Sequence, residues 1–156
     1  MLVRWSAGAG AARAVTSALA AAMALAGIAC RGPAPARPGP LDGAWEGVAV
    51  GDAAHRRWTL LVEEGRFFLQ GPAGDAWMRG ALAVEATVEP ATLTVDVEEC
   101  DCPWPGQRAV AIWRLDGDVL TIAGHEPGSG GPPSSFAPGA LVRTLRLQRL
   151  VRPAPR

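Results

Sequence analysis

Ten residues constrain this chain more than any others: Trp113-Arg114-Leu115-Asp116-Gly117-Asp118-Val119-Leu120-Thr121-Ile122. Asp116-Gly117 can take the positive φ angles of a two-residue type I′ turn, and β-rich runs flank it, so the stretch reads as a tight β-hairpin. With those two residues as the loop, Trp113 stands opposite Leu120 and Ala111 opposite Ile122, which makes one continuous apolar face. Arg114, Val119 and Thr121 share a more mixed face.

Short strands separated by turn signals fill the chain from Leu41 onward. Gly43 to Val50 reads as a first strand, Arg57 to Glu63 as a second and Arg66 to Gln70 as a third. The cluster Gly71-Pro72-Ala73-Gly74-Asp75 is a turn. A fourth strand runs from Trp77 to Thr87, with Trp77, Arg79, Ala81 and Ala83 alternating against Met78, Leu82 and Val84. Pro90 interrupts, and Ala91 to Val97 alternates Leu93, Val95 and Val97 against Thr92, Thr94 and Asp96. Gln107 to Ile122 holds the hairpin. A loop rich in Gly, Pro and Ser follows from His125 to Gly139, and within it Gly128 to Gly131 reads as a flexible cover for a barrel mouth. Leu141 to Val151 closes the domain, with Leu145, Leu147 and Arg149 on one face. This predicts an all-β fold: a single antiparallel up-and-down barrel of about eight strands, since closing a meander removes its exposed edges. A barrel of that size encloses either packed side chains or one small ligand.

The first 29 residues read as a signal peptide. Arg4 and Arg13 form a positive n-region, and Ala14 to Ile28 is an Ala-rich apolar run of signal length, short for a membrane span. Its end, Leu25-Ala26-Gly27-Ile28-Ala29-Cys30, resembles a bacterial lipobox, with Gly27 where Leu is usual. The resemblance implies an acylated Cys30 and a membrane partner through an N-terminal lipid. Cleavage after Ala29 by an ordinary signal peptidase is the alternative, and either route exports the domain. Residues 30–40 are a Pro-rich tether favouring polyproline II, able to hold the domain roughly 30 Å from the lipid. Arg31 is not the Asp associated with inner-membrane retention, so the outer membrane is preferred in a Gram-negative cell. The domain spans 41–152 and a disordered tail 153–156.

All fifteen Lys+Arg residues are Arg, and Lys, Asn and Tyr are absent, which marks GC-rich coding rather than function. Without residues 1–29 the chain has 13 Arg against 15 acids, a net −2. That balance excludes the basic footprint of a nucleic-acid partner.

Three stretches carry a family resemblance. Leu41 to Val48 (LDGAWEGV), Trp113 to Ile122 (WRLDGDVLTI), and Pro133-Ser134-Ser135-Phe136 with Leu145 to Arg149 (LRLQR) are similar to an uncharacterised family of bacterial lipocalin-like domains common in planctomycetes. The resemblance covers Leu41 to about Val151. It implies a lipocalin-like barrel and no reaction. Gly43-Ala44-Trp45 also matches the G-x-W signature of the wider lipocalins. There the Trp packs across the closed end beneath an Arg of the last strand. By that resemblance Gly43, Trp45 and Arg149 serve barrel closure.

Chemistry-bearing candidates are few. Glu98-Glu99-Cys100-Asp101-Cys102-Pro103-Trp104-Pro105 has no counterpart in the family pattern. Cys100 and Cys102 suit a small disulfide in an oxidising compartment; a soft-metal site or a redox bridge are the sharper alternatives. A metal would need further ligands, and no spacing brings His55 or His125 near. His125-Glu126 points to opposite faces if it extends a strand. Gly128-Ser129-Gly130-Gly131 lacks the strand-before, helix-after setting of a phosphate loop. No catalytic residue, metal or cofactor is expected, and the protein reads as non-enzymatic. Interior aromatics suit a small apolar or amphipathic ligand, with Trp58, Trp77, Trp113, Leu120 and Ile122 as the expected lining. The alternative is a solid-cored envelope interaction protein, since aromatics also fill small barrels. The strand residues Ala49, Ala81, Ala83, Ala109 and Ala111 decide between them: inward alanines leave room, outward ones do not.

Overall fold

The computed structural model describes residues 38–74 and 76–151. The expected signal peptide, Cys30, the first part of the tether and the tail 153–156 lie outside the described residues.

Eight strands follow one another: β1 (Gly43–Ala49), β2 (Arg57–Glu63), β3 (Arg66–Gln70), β4 (Trp77–Glu85), β5 (Thr92–Cys100), β6 (Arg108–Asp116), β7 (Val119–Gly124) and β8 (Arg143–Arg149). Each pairs antiparallel with its neighbour in sequence, and β8 pairs back onto β1, so the sheet closes as an up-and-down barrel. The described residues add only one turn of 3₁₀ helix, Pro72–Gly74. β2 and β3 have the bounds their alternation predicts. β5 runs on to Cys100, past the expected end at Val97, and so takes in the first cysteine of the acidic cluster.

The hairpin forms with a different register. Trp113 pairs with Ile122 rather than Leu120, and Asp116 pairs with Val119. The loop is therefore Gly117-Asp118, with positive φ at Gly117 alone, as in a II′ rather than a I′ turn. The pairing moves by two residues, one full pleat period, so the set of inward side chains survives. Trp113, Leu120 and Ile122 all pack into the interior.

Two glycines let strands approach where a side chain would block them. A Cβ on Gly47 would overlap the Arg146 carbonyl oxygen on β8, and one on Gly80 would overlap that of Asp96 on β5. Gly80 also marks the register shift between β4 and β5. Such points bend strands toward closure. On the outer face, ion pairs cross between strands: Arg66 to Glu98, Arg79 to Glu99 and Arg108 to Asp96. All are solvent-exposed, so they favour register more than they add stability.

One end of the barrel is sealed. Leu41 and Trp45 are fully buried there, and the Trp45 indole Nε1–H donates to the Leu41 carbonyl at 2.9 Å. The Arg149 guanidinium lies 4.0 Å over the Trp45 ring and donates to the Asp42 carbonyl at 2.6 Å. Gly43 has a φ of +134°, and a Cβ there would stand 2.8 Å from Arg149 Nη1. The glycine thus leaves room for the guanidinium that ties the last strand to the first.

Candidate functional site

The opposite end of the barrel is open. It is ringed by the β1–β2, β3–β4, β5–β6 and β7–β8 connections, while the tight β2–β3 and β6–β7 turns lie at the sealed end. A cavity of about 690 Å³ runs inward from this mouth. That lies within the usual range for small-molecule sites.

The register explains the space. On β1, β6 and β7 the inward positions near the mouth are small: Ala49, Ala109, Ala111 and Gly124. Ala111 stands between Leu93 and Gly124, and Ala109 stands opposite Val95. The inward positions nearer the sealed end carry Trp45, Val62, Trp113, Leu120 and Leu147, which pack solidly. The small side chains of β1, β6 and β7 leave space on their side of the lumen, facing Trp58, Leu69 and Met78 on the other strands. Ala81 and Ala83 take the other course: they pair with Asp96 and Thr94 on the outward face of β4 and contribute nothing to the lumen.

Of the five aromatic and aliphatic residues expected to line a ligand site, Trp58 and Ile122 do so. Three do not. Trp77 points outward, stacked on Phe68 with ring centroids 6.3 Å apart and Arg79 lying over it. Its inward neighbour Met78 lines the cavity instead. The β4 alternation forms as predicted, but periodicity alone does not say which of two mixed faces turns inward. Trp113 and Leu120 are interior but belong to the packed part nearer the sealed end, where the Trp113 indole N–H donates to the Thr92 carbonyl at 3.0 Å.

The structure adds lining residues that no strand pattern singled out. Trp104 comes from the β5–β6 loop, and its side chain borders the cavity. Cys100 and Cys102 are joined by a disulfide at the root of that loop, where Pro103 and Pro105 flank the Trp. Bonded sulfurs are not thiolate ligands. Among the described residues no group of three or more His, Cys, Asp or Glu side chains converges as a metal site would require. Arg143, the first residue of β8, is the other addition; its guanidinium lies 5.1 Å over the Trp58 ring at the mouth.

The rim is polar. Asp52 accepts from the Ala54 backbone N–H at 3.0 Å and from Arg56 Nε at 3.1 Å. That backbone N–H, with Arg56, holds the Asp52 carboxyl below the usual carboxylate range. His125 Nδ1–H donates to the Leu141 carbonyl at 3.0 Å, pinning the two ends of the β7–β8 loop together. The loop serves two places. Its ends, Pro127 and Pro138 to Val142, border the mouth, whereas the expected cover, Gly128 to Gly131, does not line it. Its middle lies on the outer wall instead: Thr144 Oγ1 donates to the Phe136 carbonyl at 3.0 Å, and Arg114 covers the Phe136 ring at 4.9 Å. Outward-facing Ile112, Ala123 and Thr144 are buried on that wall, as is Pro133 of the loop.

Comparison with protein-family models, with curated proteins and with solved structures finds no match to this chain.

Proposed function

We propose that this protein is a non-enzymatic binding module that holds a small apolar or amphipathic molecule in its barrel. One observation carries the reading: an apolar cavity of about 690 Å³, open at one end and lined by Trp58, Leu60, Leu69 and Ile122, in a barrel sealed at the other. A solid core, the basis of the interaction-protein alternative, would leave no such space. The lipocalin-like reading is supported by the Gly43, Trp45 and Arg149 arrangement at the sealed end. The exported, acylated form anchored through Cys30 in the cell envelope completes the proposal and rests on residues 1–40 alone.

The test is titration with the environment-sensitive apolar dye N-phenyl-1-naphthylamine. Wild type is expected to bind it saturably at one site. Ala111→Phe, which places an aromatic ring between Leu93 and Gly124, should weaken binding at least about tenfold, the loss expected when contacts worth 1.4 kcal/mol are removed. Trp77→Phe, on the outer wall, should leave it unchanged. Absence of saturable binding by wild type would defeat the proposal.

A further inference from the structure

The mouth is chemically asymmetric, and among the described residues that border it Arg143 is the arginine without an ion-pair partner. Arg143 occupies an inward register position on β8, two residues before the cavity-lining Leu145. Its partner across the β7–β8 ladder is Gly124, which has no side chain to fill the space opposite. On the other side β1 ends in Ala49, another small residue, so the guanidinium reaches past it to the ring of Trp58 on β2 at 5.1 Å.

Stacking engages the face of a guanidinium and leaves its N–H edge free, and that edge is the fork that matches carboxylate or phosphate oxygens. Among the described residues no carboxylate lies within ion-pair distance of Arg143. The other charges at the mouth are differently placed. Arg56 and Asp52 are paired with each other. The Nδ1–H of His125 is held by the Leu141 carbonyl. Glu126 borders the cavity too, but it is exposed, lies in the loop two residues beyond Gly124, and is not within ion-pair distance of Arg143. Below the guanidinium the wall is apolar down to Ile122.

We propose that the lumen takes a single-chain amphiphile whose anionic head group, a carboxylate or phosphate monoester, is held at the mouth by Arg143 while its tail fills the cavity. This rests on the binding function proposed above and specifies its ligand class. Trp58 forms both the platform under the guanidinium and part of the wall beside the tail.

The test compares four twelve-carbon probes, each below its micellar concentration, by displacement of N-phenyl-1-naphthylamine: laurate, dodecyl phosphate, dodecanol and dodecyltrimethylammonium. Laurate, dodecyl phosphate or both should bind roughly tenfold to a hundredfold tighter than dodecanol, the range of a charge-assisted hydrogen bond. The cation should bind weakest. The difference between the two anions identifies the head group. Arg143→Gln should remove the anion advantage and leave dodecanol unchanged, while Arg143→Lys should retain part of it. Circular dichroism and thermal melting establish that the variants fold; if they do not, the wild-type ranking decides. If dodecanol matches both anions, or Arg143→Gln weakens all four probes equally, the head-group assignment is wrong while the binding cavity stands. If neither dye nor any probe binds, the underlying function is wrong.

Discussion

Replacing Arg149 by Met keeps most of the aliphatic stem and removes the guanidinium that joins the last strand to the first. Two interactions are lost. One is the charged hydrogen bond from Nη1 to the Asp42 carbonyl at 2.6 Å, a class worth about 1.5–3 kcal/mol. The other is the contact over Trp45 at 4.0 Å, worth about 0.5–2 kcal/mol. The 3.5 Å approach to Asp118 adds little, because that carboxylate is largely exposed. The two main losses share one side chain and do not add fully, so the expected cost is about 2–4 kcal/mol. In a domain of this size that corresponds to a fall in Tm of roughly 6–20 °C. Urea denaturation followed by tryptophan fluorescence measures it, with an unchanged m-value showing that the folded and unfolded states keep their compactness. Trp45→Leu creates its own cavity, and a double-mutant cycle cancels that cost to isolate the coupling, expected to be about 0.5 kcal/mol or more. A loss below about 1 kcal/mol, or a coupling of zero, would show that the stack does not hold the barrel closed.

Two further outcomes are expected. Cys100 and Cys102 close a ring of only three residues, so chain entropy limits the stability lost in a Cys100→Ser/Cys102→Ser variant to about 1.5 kcal/mol. Thiol–disulfide exchange by wild type at rates above those of small-molecule disulfides would instead favour a redox role. Stability should also fall in acid. Arg108 holds Asp96, Arg66 holds Glu98, the Thr87 hydroxyl holds Glu85, and the Ala54 N–H with Arg56 holds Asp52 below their ordinary ranges. Depressed carboxyls bind protons more readily when unfolded. Their contribution is complete above the unfolded values near pH 4 and is lost as pH falls through the folded ones. Thermal melts should therefore be flat from about pH 6 to 8 and drop below about pH 4; a Tm unchanged at pH 3 would refute the account.

Much of the fold was legible because strand pairing in a meander is local. Arg57–Glu63 and Arg66–Gln70 are bounded by polar ends and a Glu64-Gly65 turn, and both strands form at those bounds. The hairpin register stands two residues from the predicted one, since Asp116-Gly117 and Gly117-Asp118 both suit a two-residue turn. A two-residue shift preserves the pleat, so the inward face stays intact.

The site was less legible. Trp58 and Ile122 lie on strands with a clear apolar face, whereas Trp77 shares its face with Arg79 and turns out to be outer wall. Trp104 sits in a loop with no period to read, and Arg143 is one of many arginines until β8 places it over Trp58.

By itself, then, the sequence determined a chain of alternating strands and the turns between them. These follow from period-two patterning and turn chemistry, which act between residues close in sequence. Only the tertiary structure decided that a cavity opens at the end opposite Trp45, and that Arg143 lies over the ring of Trp58 at its mouth. Whether Ala109, Ala111 and Gly124 leave space depends on what stands across the barrel from them, and closure alone sets that distance.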